Sequence, residues 1–157
     1  MQAKTMVDVE PMVYKGRIRM PYNWTAGETA SRFFSELRER AQIWGTKCPA
    51  CGMVFVPPKK TCGRCLKPAM EWVQVAPTGT LVTYTVVHYK EPAIHPIEAP
   101  FAYGIVRLDG ADTGLVHLLG EVGPSEFVSG MRVEAVFEEE RQGSLLDIKY
   151  FRPLRME

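Results

Sequence analysis

This chain has little histidine, no cysteine outside the stretch from Cys48 to Cys65, no long apolar run and no glycine-rich phosphate loop. Each scarcity narrows the chemistry open to it. Its three histidines are His88, His95 and His117, and no serine or cysteine sits in a strand–turn–helix elbow, so the sequence offers no self-sufficient nucleophile–base pair. We therefore expect no catalytic residues. His88 and His117 fall in or at the end of strand-like runs, where a structural role is expected; His95, in a loop, is the histidine best placed to meet a ligand. No glycine-rich turn follows a strand, which argues against Walker- or Rossmann-type nucleotide chemistry. From Met6 to Met20 the chain is broken by Asp8, Glu10, Pro11, Lys15, Arg17 and Arg19, so neither a signal peptide nor a membrane span is expected. The net charge is only +1, and no overall field advertises nucleic acid or membrane as partner. There are no internal repeats and no low-complexity tracts.

What is present centres on Cys48-Pro49-Ala50-Cys51-Gly52 and Cys62-Gly63-Arg64-Cys65, two C-x-x-C pairs separated by ten residues. Such pairs form knuckles whose backbone N–H groups turn toward the sulfurs while four thiolates converge on one tetrahedral ion. Disulfides would need an oxidising compartment, and a redox-active pair would open a helix in a βαβ context, which neither pair does. Iron uses the same four thiolates; zinc is the expected metal. A four-thiolate shell is closed, so the metal is expected to be structural, supplying folding free energy to a module too small to bury its own core. Reduced thiolates also point to a cytoplasmic protein.

Charge is distributed unevenly. Residues 45–70 carry Lys47, Lys59, Lys60, Arg64 and Lys67 with no acidic residue among them. A small module needs solubilising charge, but the same cluster suits an anion, either nucleic acid or a phosphate-bearing cofactor.

Taken in order, residues 1–22 read as an extended arm too apolar to be a free tail. Thr25 and Glu28 form a capping-box pattern, followed by Ala30, Phe33, Phe34, Leu37, Ala41 and Trp44 at helical spacing, with Gly45 as the helix stop. This stripe needs a partner surface, either the rest of the chain or another protein. Tyr22, Trp24, Phe33, Phe34 and Trp44 are therefore candidate interface residues. A strand at 70–75 precedes five strand-like runs at 80–88, 101–108, 115–120, 132–139 and 144–151. Gly104 inside the second run suggests a bulge or a close backbone approach, and 109–114 is turn chemistry. Five strands with glycine-marked bends fit a small Greek-key barrel of OB-fold type better than a sandwich. The Pro-rich loop 89–100 is long enough to be a contact element. We divide the chain into an arm and helix (1–44), a zinc ribbon (45–76) and a barrel (77–157).

The order of these parts resembles one family. Gly27-Glu28, Ser31-Arg32-Phe33-Phe34 and Leu37-Arg38 precede Gly45-Thr46-Lys47-Cys48-Pro49-Ala50-Cys51-Gly52, Val56-Pro57-Pro58 and Cys62-Gly63-Arg64-Cys65. The barrel opens with Thr78-Gly79-Thr80-Leu81-Val82-Thr83-Tyr84 and closes with Phe151-Arg152-Pro153. The series is similar to the zinc-ribbon/OB-fold proteins associated with acyl-CoA enzymes. The resemblance implies a mainly β fold of N-terminal arm and helix, rubredoxin-like ribbon and five-stranded OB barrel. It further implies a non-catalytic zinc subunit that helps bind acyl-CoA beside a thiolase-like partner. On that reading the coenzyme A phosphates are a candidate ligand of Lys47, Lys59, Lys60, Arg64 and Lys67. The alternative is a nucleic-acid-binding zinc-ribbon/OB module, against which the barrel strands 80–88 and 101–108 supply only Arg107 as a basic residue.

Overall fold

The computed structural model describes residues 10–16, 20–68, 71–92, 94–95 and 97–154. Met12, Tyr14, Met20, Tyr22 and Trp24, before the helix, each keep 71% or more of their surface exposed, so these described side chains are not buried against the rest of the fold. Helix α1 (Gly27–Arg40) follows, with Phe33 and Leu37 buried and Glu28, Arg32, Arg38, Glu39 and Arg40 exposed.

Both helix ends differ from the sequence expectation. The Thr25 hydroxyl accepts from the Gly27 N–H at 3.2 Å, but the capping position is Ala26 and makes no side-chain cap. Gly27 turns the chain with φ +76°, which displaces Glu28 from the box geometry expected with Thr25. At the other end, Ala41 adopts a left-handed conformation (φ 51°), and its N–H bonds the Leu37 carbonyl at 3.1 Å. The helix therefore stops before Trp44. Ile43–Lys47 forms strand β1, which pairs with β2 (Val54–Phe55) on one side and β3 (Glu71–Val75) on the other. Gly45 is thus mid-strand and not a helix cap. A Cβ there would lie 2.7 Å from the Phe55 carbonyl oxygen, so glycine is required by the approach of β2.

The remaining strands close a barrel. They are β4 (Thr78–Val87), β5 (Phe101–Leu108), β6 (Gly114–Leu119), β7 (Arg132–Phe137) and β8 (Ile148–Pro153), in the order β4-β5-β6-β8-β7 with β7 returning to β4. All neighbours are antiparallel except β6 and β8, which run parallel and meet at the single pair Leu119–Phe151. Five strands closed in this order make the OB-fold. In the β4–β5 pairing the register shift falls between Leu81 and Thr83, whereas Gly104 serves close approach: an added Cβ would meet Leu81 Cδ1 at 2.5 Å. Within the expected run 144–151, residues Leu145–Asp147 form a single 3-10 turn before β8, because the Ser144 hydroxyl accepts from the Leu146 N–H.

One continuous core joins the three parts. Phe33 and Leu37 from α1 and Ile43, Val56 and Val75 from the ribbon sheet pack with Leu81, Val106, Leu115, Val133, Ile148 and Phe151 of the barrel. Phe33 is 2% exposed, so it belongs to this internal core and is corrected from an interface residue to a packing residue. Among the described residues no helix is long and apolar enough to cross a membrane.

Candidate metal centre

Two backbone turns of like construction present the cysteines. In the first, the Gly52 N–H bonds the Cys48 carbonyl at 2.9 Å and the Cys48 N–H bonds the Met53 carbonyl at 2.8 Å. In the second, the Leu66 N–H bonds the Cys62 carbonyl at 2.9 Å and the Cys62 N–H bonds the Lys67 carbonyl at 3.0 Å. Each turn needs a left-handed residue after its second cysteine: Gly52 has φ 75° and Leu66 has φ 56°. Glycine adopts that conformation freely; for leucine it costs about 1–2 kcal/mol.

The turns bring the sulfurs of Cys48, Cys51, Cys62 and Cys65 within 4.8 Å of one another. A tetrahedral zinc with metal–sulfur bonds of about 2.3 Å has sulfur–sulfur edges of about 3.8 Å, and the Cys51–Cys62 separation is 3.7 Å. That is far beyond a disulfide bond, and all four cysteines are free. The Cys62 sulfur accepts N–H bonds from Cys65 (3.3 Å) and Arg64 (3.4 Å), and these bring its pKa down to about 7. Cys65 is pushed up to about 12, first by hydrogen bonding with the Cys51 thiol and then by burial. A cation at the centre of the cluster would favour the thiolate form of all four cysteines. The four cysteines are positioned to hold zinc, whose binding would supply folding free energy to the ribbon.

Around this centre Lys47, Lys59, Lys60, Arg64 and Lys67 are all exposed and, among the described residues, make no ion pair. The Lys59 ammonium lies 5.3 Å from the Phe55 ring centroid, while Lys60 faces a cleft of about 430 Å³ lined by Ala26, Gly27, Glu28 and Thr29 at the start of α1. Arg64 and Lys67 flank Leu66 on the second knuckle.

Family models for the ChsH2 rubredoxin-like zinc ribbon domain and the ChsH2 C-terminal OB-fold domain match residues 36–71 and 72–138. A DUF35 domain-containing scaffold protein of Methanocaldococcus jannaschii is 30% identical over 107 residues, 68% of this chain and 74% of that protein. The chain belongs to the ChsH2/DUF35 family. A DUF35 scaffold protein of Pyrococcus furiosus is 29% identical over 128 residues, 79% of this chain and 92% of its own. The Ltp2-ChsH2(DUF35) aldolase structure contains a chain that superposes with a TM-score of 0.61 at 25% identity, covering 83% of this chain and 98% of that one. A DUF35-family crystal structure from Sulfolobus solfataricus shares the fold at 22% identity and a TM-score of 0.55.

Within this DUF35 chain the ribbon is latched to the barrel by residues that the sequence marked only as a turn. The Thr113 hydroxyl accepts from the Val56 N–H (2.8 Å) and donates to the Val56 carbonyl (2.9 Å). Asp112 adds a carboxylate contact to the Val54 N–H and a backbone bond to the Val54 carbonyl. Thr46 repeats the device inside the ribbon, its buried hydroxyl bridging the N–H and carbonyl of Lys59. A second feature beyond the sequence reading is the Arg32 guanidinium, 4.4 Å from the Trp72 ring and 5.6 Å from Trp44, which ties helix to ribbon.

The histidines are held internally or exposed. His117 is buried between the Leu145 carbonyl and the Leu118 N–H, and burial lowers its pKa, which keeps the imidazole neutral. His95 accepts the Glu91 N–H at 3.0 Å and lies against Tyr89 and Phe101, bracing the 89–100 loop. His88 is exposed after β4.

Proposed function

We propose that this chain is a non-catalytic zinc subunit of an acyl-CoA-transforming complex with a thiolase-like enzyme. What carries the reading is its likeness to the DUF35 chain of the Ltp2-ChsH2(DUF35) aldolase along 98% of that chain. Two features of this molecule support it. Its metal shell is closed by four thiolates, leaving no position at which substrate could bind the ion. Its arm, helix and first strand carry large apolar side chains that its own fold leaves wholly or partly uncovered: Tyr22 and Trp24 are exposed, Phe34 of α1 and Trp44 of β1 are half-buried. These four are the proposed contact residues, as buried aromatic anchors commonly dominate such interfaces. Of the ribbon cations, Lys47, Lys59 and Lys60 are proposed to meet the phosphates of coenzyme A, with Lys60 best placed because it lies beside the amide-rich start of α1.

The test is recovery of the chain, tagged, from its native cells, with mass spectrometry of what accompanies it in stoichiometric amount. An acyl-CoA enzyme is expected, active as the complex, while the pure chain turns over no thioester. Thioester turnover by the isolated chain, or a stoichiometric partner unrelated to acyl-CoA chemistry, would overturn the proposal.

A further inference from the structure

The second knuckle places a left-handed residue at position 66, and the first knuckle shows what satisfies that demand without strain, namely Gly52. The sequence supplies leucine instead. Burial does not offset the strain, because Leu66 remains 77% exposed. An exposed leucine alone needs no explanation. A leucine held in a glycine conformation at the tip of the turn that presents Cys62 and Cys65 is a different matter, since its backbone is fixed by the bond from its N–H to the Cys62 carbonyl at 2.9 Å while its apolar side chain is turned to solvent. It also stands among cations: Arg64 and Lys67 flank it, and no acidic residue between positions 45 and 70 answers them.

We propose that Leu66 is a docking knob for the enzyme subunit this chain accompanies, entering an apolar pocket rimmed by carboxylates on that subunit. The inference rests on the reading of the chain as an accessory subunit. Pre-fixing the knob in the metal turn reduces the ordering cost of binding, and the basic collar matches an acidic rim and steers the encounter. The knuckle is thus assigned to protein recognition, distinct from the phosphate contact at Lys60 near α1.

The experiment uses the enzyme subunit recovered with the native chain, separated from it and titrated with the zinc-loaded full-length chain and three variants. Leu66→Gly relaxes the backbone, so it is expected to hold zinc as tightly and melt no lower than the parent, yet to bind the subunit about tenfold or more weakly. Leu66→Asn, which also tolerates the left-handed region, should behave like the glycine variant. Leu66→Met keeps an apolar knob and should bind within about threefold of the parent. Lys67→Glu should slow association, with the effect shrinking at high salt. Undiminished subunit binding by Leu66→Gly overturns the knob while leaving the subunit reading intact. If the unmodified chain brings down no enzyme subunit at all, both fall.

Discussion

At the scale of single residues, two threonine hydroxyls hold the structure where strands run out. Thr113 bonds both backbone groups of Val56, so Thr113→Val, which preserves shape but removes the hydroxyl, should cost about 1–3 kcal/mol by leaving two partly buried groups unsatisfied. Thermal unfolding of the zinc-loaded protein measures it; an unchanged midpoint would show the latch to be idle. Asp109 supplies a pH-dependent contact. Hydrogen bonds from Arg132 and then from Thr78 hold its carboxyl down to about 2. Because the folded value lies below the ordinary one near 3.8, the contact stabilises fully above pH 4 and is lost as the pH falls toward 2. Both partners are largely solvent-exposed, so the loss should be modest, and Asp109→Asn should flatten the stability profile in that window alone. None of these partners could be read from the sequence, for each joins residues distant along the chain: 57 positions separate Thr113 from Val56. The cysteines, by contrast, were legible because their geometry is set within each C-x-x-C pair.

At the scale of elements, the helix shows where periodicity misleads. Apolar spacing continues smoothly from Phe33 through Leu37 to Ala41 and Trp44, so nothing local marks the break at Ala41. The break comes from tertiary pairing, since Trp44 must lie opposite Gln74 in the ribbon sheet. The barrel strands were easier to read because valine, threonine and aromatic residues alternate between glycine-rich turns. The ribbon is an element of a different kind. Its strand β2 has two residues and its knuckles bury chiefly sulfur, so a bound metal would stand in for the core that the knuckles lack. Chelation should therefore disorder residues around Cys48–Cys65 first, seen as amide exchange there while β4, β5 and β7 stay protected. Barrel exchange rising in step with ribbon exchange would instead mean that one cooperative unit spans both.

At the scale of the whole molecule, positive charge lies on one module and apolar surface on another, the arm. If the ribbon lysines meet coenzyme A, Lys59→Gln combined with Lys60→Gln in the assembled complex should raise the Michaelis constant for acyl-CoA a few-fold, and the difference should shrink at high salt. An unchanged constant with zinc and assembly intact would assign those lysines to solubility. The Asp112–Thr113 latch also bears on how such proteins can be recombined. Because the ribbon's outer strand takes its last hydrogen bonds from the hairpin between β5 and β6, a ribbon grafted onto another barrel leaves that hairpin behind. The hairpin and the ribbon form one unit of exchange, although more than forty residues of sequence lie between Cys65 and Asp112. Chimeras cut at the apparent module boundary should fail to fold where chimeras that carry 109–114 along with the ribbon succeed.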